Sequence, residues 1–289
     1  MKILVTGAYG QLGNELNCLT SEYPEWQFVF TDIDTLDITN EESVKVFFEK
    51  KEPDFVINCA AYTAVDKAEN DADTAEKVNA EASRILGKCS KNAGAKLIHV
   101  STDYVFDGSS SKPYVETDSV NPQSIYGKTK LLGEQLCINE NPETVIIRTS
   151  WLYSAFGNNF VKTMLRLGAE RGKLNVVFDQ VGTPTYAADL ANAILAIIEL
   201  CENEPKRFIP GVYHYSNEGV ASWFDFAKAI FEISEVKCIV SPVRSVEFPT
   251  PAKRPEFSVL DKSKIKTTFG LEIPYWKDSL ITCVEKLKR

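Results

Sequence analysis

Tyr126 and Lys130 stand four residues apart in Tyr126-Gly127-Lys128-Thr129-Lys130, and no other tyrosine of the chain has a lysine at that spacing. In a helix, positions i and i+4 share a face, so the phenol and the ammonium would point into one site. A phenol with a pKa of ~10 is a poor acid–base catalyst at neutral pH. A neighbouring ammonium favours the phenolate and draws the pKa toward the working range. Carbonyl reduction needs one such proton donor, delivered to oxygen as hydride arrives at carbon. Upstream, Ser101-Thr102-Asp103 closes the apolar run Leu97-Ile98-His99-Val100. A hydroxyl there could hydrogen-bond the same carbonyl or tune the phenol; capping a turn is the other use of these residue types.

A hydride must come from a cofactor, and the N-terminal segment offers a place for one. Gly7-Ala8-Tyr9-Gly10-Gln11-Leu12-Gly13 follows the apolar run Ile3-Leu4-Val5 and opens a helical pattern. Glycines permit a tight turn and close approach of backbone to a pyrophosphate, and a helix N-terminus turns free N–H groups toward it. A turn that merely required small residues is the alternative. Asp32 ends the second apolar run about 20 residues later, where a carboxylate meets the adenosine ribose hydroxyls. No Arg lies between Thr31 and Asn40 to pair with a 2′-phosphate, which favours NADH over NADPH. Asp37 belongs either to the adenine edge or to the cap of a helix starting near Glu41.

These groups need a scaffold, and the first half of the chain supplies one. Ile3-Leu4-Val5, Phe28-Val29-Phe30, Phe55-Val56-Ile57, Leu97 to Val100 and Val145-Ile146-Ile147 read as buried strands. Amphipathic segments separate them, at Glu42 to Lys51, Thr74 to Asn92 and Ile125 to Glu140. Apolar strands alternating with helices predict an α/β, Rossmann-type, doubly wound parallel sheet over residues 1–150. Part of 175–215 is expected to return to it. Residues 151–289 form a smaller α/β substrate domain, with helices near Asn159 to Arg171, Ala187 to Cys201 and Ser222 to Ile233. The stretch from Glu247 to Phe257 contains three prolines, so it is neither regular helix nor central strand.

Composition closes off other classes. Of 289 residues, 44% are apolar and 25% charged, as in ordinary globular chains. The net charge of −8 comes without a Lys/Arg block, which argues against a nucleic-acid partner. No apolar run reaches the ~20 residues of a membrane span, and the opening Met-Lys-Ile-Leu-Val-Thr-Gly lacks signal-peptide grammar. Seven scattered cysteines without a Cys-x-x-Cys suit a reducing, cytoplasmic setting. With only His99 and His214, a His-rich metal site or a Ser-His-Asp triad is not expected.

The glycine loop, Asn58 to Asp66, Ser101 to Gly108 and Tyr126 to Lys130 together resemble the extended short-chain dehydrogenase/reductases. Within these, Arg148 to Tyr153, Gly157 to Phe160, Asp179 to Thr185 and Pro251 to Pro255 resemble the dTDP-4-dehydrorhamnose reductase family, and the likeness runs the length of the chain. That family reduces dTDP-4-dehydro-β-L-rhamnose to dTDP-β-L-rhamnose with NADPH or NADH, the last step of dTDP-rhamnose biosynthesis for cell-surface polysaccharide. The resemblance implies that Tyr126 gives the proton to the C4 oxygen, that Lys130 holds the nicotinamide ribose, and that Thr102 bonds the reacting carbonyl. It assigns Gly7, Gly10, Gln11, Leu12, Gly13, Asp32, Asp37, Ile38, Ala60, Ala61, Tyr62 and Thr63 to the cofactor, with Tyr126 and Lys130. To the sugar nucleotide it assigns Val65, Thr102, Asp103, Tyr104 and Trp151, then Asn159, Gln180 and Arg254. For Trp151 the alternative is a core aromatic at the domain junction. For Arg254, a pyrophosphate partner, the alternative is a solvated basic loop.

Some relatives dimerise through a metal held by carboxylates near the helix after Gly182-Thr183-Pro184-Thr185. Here that helix opens Tyr186-Ala187-Ala188-Asp189 with no carboxylate cluster, so no required metal is expected, in a monomer or homodimer. Two other functions share the resemblance. Dehydratases of the superfamily follow the threonine with Asp-Glu, whereas this chain has Thr102-Asp103-Tyr104; an epimerase of another 4-keto sugar would retain its cofactor. A non-catalytic regulatory subunit would have no physical need for a phenol and an ammonium on one helix face.

Overall fold

A computed structural model of the chain describes residues 1–288. Strands β1 (Lys2–Thr6), β2 (Gln27–Thr31), β3 (Phe55–Asn58), β4 (Lys96–Thr102), β5 (Thr144–Thr149) and β6 (Gly211–His214) form one sheet. Their order is β6-β5-β4-β3-β1-β2, and every neighbouring pair is parallel. All four residues of β3 and all six of β5 are buried, as expected of strands covered on both faces.

Alternation along the strands divides the apolar residues between two cores. Ile3, Val5, Ile57, Ile98, Val145 and Ile147 meet Leu12 and Leu16 of α1 (Gln11–Leu19) and the apolar face of the helix Ala187–Asn203. On the opposite face, Leu4, Val56 and Leu97 pack on α2 (Glu41–Lys51), α3 (Ala82–Ala93) and Cys137 of α4 (Ile125–Glu140). From β1 the chain moves outward to β2, then returns to place β3 on the other side of β1. That reversal opens a crevice beyond the carboxyl ends of β1 and β3, where ligands of such sheets bind.

A second lobe has its own core, built from Tyr153, Val161, Met164, Leu174, Val176, Phe226, Ile230, Trp276 and Leu280 among others. It contains the parallel pair Lys173–Val177 and Ile239–Val243 and the helices Phe160–Arg171, Trp223–Ser234 and Trp276–Lys288. The chain crosses between lobes repeatedly. Strand β6 and the helix Ala187–Asn203 lie on the sheet, as does Ser263–Phe269, which contributes Ile265 and Phe269 to its core. The proline-containing stretch leaves a 3₁₀ turn at Ser245–Glu247 and runs irregularly to a bridge between Phe257 and Val181.

Two local differences from the sequence reading bear on the site. The segment from Thr74 to Asn92 is not one helix, because Lys77–Glu81 forms a π turn between Ala72–Glu76 and α3. Its buried Asn79 accepts from the Tyr62 amide at 2.8 Å and donates to the Tyr62 carbonyl at 3.2 Å and to Thr129 Oγ1 at 3.1 Å. Such turns turn a side chain away from helical register, often at functional sites. The cap of α2 is Asn40, which accepts from Ser43 N at 3.0 Å, so Asp37 does not cap that helix.

Candidate active site

The crevice is a cleft of about 880 Å³ that runs from the glycine loop past the end of β4 to the second lobe. Gly7, Gly10, Gln11, Leu12, Gly13, Asp32, Asp37, Ile38, Ala60, Ala61, Tyr62 and Thr63 line it, as do Val65, Thr102, Asp103, Tyr104, Tyr126, Lys130 and Trp151. Positions up to 144 residues apart in sequence thus share one wall because each follows the carboxyl end of a parallel strand or opens a helix.

At the dinucleotide end, Asp32 accepts from the amides of Tyr9 and Ile33, both at 2.9 Å, and so ties the glycine loop to the tip of β2. Asp37 accepts from the Thr39 amide at 2.9 Å and its hydroxyl at 2.7 Å, and these bonds hold its carboxyl below the usual range. Under the loop, Thr6 Oγ1 donates to Asn58 Oδ1 at 2.7 Å, and the same oxygen accepts from Ala60 N at 3.2 Å. Asn58 Nδ2 lies 2.9 Å from His99 Nδ1, and burial keeps that imidazole neutral.

At the centre, Tyr126 opens α4, whose cap Ser124 accepts from Gly127 N at 3.1 Å. The phenol faces Thr102, and the edge of the Tyr104 ring packs on it at 5.4 Å between centroids. Burial pushes the phenol up to about 12, while the Thr102 hydroxyl opposes the rise. Lys130 is buried and donates to the Val100 carbonyl at 2.8 Å; desolvation brings it down to about 8. The ammonium therefore sits on the end of β4, one layer behind the phenol, and Thr102 is what acts on Tyr126 directly. Thr102 also accepts from Tyr104 N at 3.2 Å, so this residue caps a turn and lines the cleft at once.

Asp103 is the least comfortable carboxyl of the cleft. Its Oδ1 accepts from Thr102 at 3.0 Å, while Oδ2 is buried without a hydrogen-bond partner. Burial pushes its pKa up to about 6. A carboxyl raised on folding destabilises the fold increasingly as pH rises above its unfolded value, and fully above the folded one. Asp103→Asn is thus expected to raise thermal stability at pH 8 by up to ~3 kcal/mol and to change little near pH 4. Melting curves at the two pH values check this; equal shifts at both would contradict it.

Trp151 stands at the junction of the cleft and the second lobe. It lines the cleft and stacks on Trp223 of the second lobe at 3.5 Å and 6°. Its φ of +47° is a left-handed conformation that bulky residues rarely adopt, a strain found where geometry is dictated by a site.

Three of the expected substrate residues do not line the cleft. Asn159 caps the helix Phe160–Arg171, accepting from Lys162 N at 3.1 Å, and its amide donates to Gln11 at 2.9 Å and to Ser154 O at 2.7 Å. Gln180 donates to Ser245 Oγ at 2.9 Å. Arg254 is neither solvated nor free: it forks onto Asp66 at 2.7 and 3.0 Å, pinning its loop to the turn that carries Val65. Tyr9, Cys59, Val78 and Leu152 line the cleft without having been singled out individually. Tyr9 and Cys59 lie inside motifs, whereas Val78 depends on the π turn, which no local sequence signal marks. Among the described residues, no group of three or more His, Cys, Asp or Glu is placed to hold a metal ion.

A crevice at the switch point of a doubly wound sheet, lined by Thr102, Tyr126 and Lys130 from β4 and α4, is the arrangement of a Rossmann-type dehydrogenase/reductase. The family model described as RmlD substrate binding domain matches residues 1–289. A dTDP-4-dehydrorhamnose reductase of Aggregatibacter actinomycetemcomitans is 41% identical over 286 residues, covering 96% of this chain and 97% of that protein. The crystal structure of a dTDP-4-dehydrorhamnose reductase from Clostridium acetobutylicum superposes with a TM-score of 0.95 at 45% identity, covering both chains completely. Another, from Bacillus anthracis in complex with NADP, has a TM-score of 0.93 at 40% identity, with 99% of each chain covered. The chain belongs to the dTDP-4-dehydrorhamnose reductase family.

Proposed function

We propose that this protein reduces the C4 ketone of dTDP-4-dehydro-β-L-rhamnose to dTDP-β-L-rhamnose with NADPH or NADH. The observation that carries the reading is the placement of Tyr126, Thr102 and Lys130 at the end of β4, in the same cleft as the glycine loop. The loop fits a dinucleotide: its backbone opens α1, Asp32 lies beside it at the tip of β2, and Lys130 lines the same cleft. The dinucleotide, when bound, supplies hydride. The protein's own work is to deliver the proton and hold the sugar. Tyr126 Oη gives its proton to the C4 oxygen, and the Thr102 hydroxyl steadies both. A phenol near 12 is fully protonated at neutral pH, the state that reduction requires. Trp151 offers an apolar wall to the sugar nucleotide, and Asp103, Tyr104 and Val65 line the same cleft. Asn159, Gln180 and Arg254 contribute by fixing the backbone around the cleft, through the helix cap, the Ser245 bond and the Asp66 pair.

No step is assigned to a metal, and every residue used lies on one chain, so monomer and homodimer serve equally. No helix of the described residues is long and apolar enough to cross a membrane. The described cysteines are all free, which suits a cytoplasmic setting.

The test is loss of reduced-nicotinamide absorbance when purified protein meets enzymatically generated dTDP-4-dehydro-L-rhamnose. Oxidation with dTDP-rhamnose as product supports the reading; cofactor binding without oxidation moves it to another nucleotide 4-keto sugar or to the regulatory-subunit function. Cofactor choice has its own check. Asp32→Ala is expected to weaken NADH by about tenfold, one charge-assisted hydrogen bond's worth, and NADPH less. Equal losses in a fluorescence titration would remove Asp32 from the ribose.

A further inference from the structure

Helix α4 carries a second buried charge that the proposed chemistry does not use. Tyr126, Lys130 and Glu134 recur every four residues and so face the same strand. Each meets one residue at the end of β4: Tyr126 faces Thr102, Lys130 donates to the Val100 carbonyl, and Glu134 accepts from the Ser101 hydroxyl. Glu134 and Lys130 are each 2% exposed. The carboxylate also holds Arg148 of β5, whose Nε donates to Oε1 at 2.9 Å and whose Nη2 donates to Oε2 at 2.7 Å. Arg148 stands opposite Ser101 in the β4–β5 register, so one helix and two strands converge on the Glu134 carboxylate.

A buried ammonium needs an opposite charge or it discharges. The titratable groups that face Lys130 are Glu134 and Cys137 from its own helix, Cys59 beyond β3, and His99 on β4. Burial keeps both thiols and the imidazole neutral at physiological pH. Among the described residues this leaves the Glu134 carboxylate as the anion that faces the ammonium. The Glu134–Arg148 ion pair is so deep that it gives little net stability by itself, so a role in placing charge accounts better for it.

We propose that Glu134, clamped by Ser101 and Arg148, is the positioning residue that keeps Lys130 charged and in register with Tyr126. The purpose of that charge rests on the reductase reading; its dependence on Glu134 does not.

The experiment uses the full chain without sugar nucleotide. The dissociation constant of NADPH is measured by fluorescence from neutral to alkaline pH for the native protein, E134Q and E134D. Native affinity is expected to fall through a midpoint near the Lys130 value of about 8. E134Q should lower that midpoint by about one unit, which is about tenfold weaker binding on the alkaline side, while E134D, which keeps the charge, stays near native. A native curve with no alkaline midpoint, an unmoved midpoint in E134Q, or an equal shift in E134D would each overturn the proposal. E134Q leaves Arg148 without its counter-charge, so the E134Q/R148M pair, neutral on both sides, supplies a second variant. It should move the midpoint in the same direction by less, since the Arg148 charge is gone as well, and a native midpoint there would also overturn the proposal. Since no sugar is present, a failed reductase assay leaves this result readable, and the converse holds.

Discussion

Tyr126→Phe is expected to lower kcat about 10²–10⁴-fold, the range of a single positioned acid, with the dinucleotide dissociation constant nearly unchanged. The substitution removes one oxygen and keeps the ring, so the edge contact with Tyr104 at 5.4 Å and the start of α4 remain. Thr102 then has no proton to relay, because its own hydroxyl is too weak an acid to replace a phenol. The affected quantity is a transition-state interaction, so kcat and kcat/KM should fall together. Burial places the phenol near 12, hence the native rate should not decline through Tyr126 ionisation at moderately alkaline pH. Any decline there belongs to Lys130, which titrates near 8. Steady-state kinetics and a fluorescence titration on the same preparation check both parts. Normal turnover by the Phe variant would remove Tyr126 from the chemistry.

Gly7→Ala is expected to destabilise the fold by about 2–5 kcal/mol and to weaken dinucleotide binding at least about tenfold, from left-handed strain plus overpacking. Gly7 has φ +70°, and a Cβ there would stand 2.6 Å from Ala60 N and 2.7 Å from Ala60 Cα. That neighbour cannot retreat freely, since its amide is bonded to Asn58, which Thr6 holds in turn. Gly10→Ala is the matched control. A Cβ on Gly10 meets only Gly7 O, at 3.2 Å, so its cost in stability should be much smaller. Denaturant melts of the two variants decide the matter. A Gly7→Ala protein as stable as the native one would show that the loop is not the tight turn described.

The inner strands were legible because they are short apolar runs buried on both faces, a pattern that survives without knowledge of neighbours; β2, expected to be buried as well, lies at the sheet edge and is only half-buried. Tyr126 and Lys130 were legible for a similar reason, as helical periodicity alone puts them on one face. Asp32 followed from its distance behind the glycine loop. Other features depend on partners far away in sequence. Asn159 and Gln180 occur in blocks of family likeness, yet the structure shows one as a helix cap and the other as a partner of Ser245. Arg254 had the right chemistry for a phosphate, but its fork is occupied by Asp66, 188 residues away. The π turn at Lys77–Glu81 and the left-handed Trp151 stacked on Trp223 arise from tertiary packing that overrides local preference. Glu134 reads locally as one more polar residue on a helix; only the convergence of Ser101 and Arg148 marks it.

The most direct test of the central claim follows the hydride itself. Native protein is incubated with dTDP-4-dehydro-L-rhamnose and NADPH or NADH carrying deuterium at the transferable position, and the sugar is examined by NMR. The account predicts dTDP-L-rhamnose with deuterium at C4 and nowhere else on the ring. Recovered keto sugar beside bound, unoxidised cofactor, or deuterium at another carbon, would contradict it.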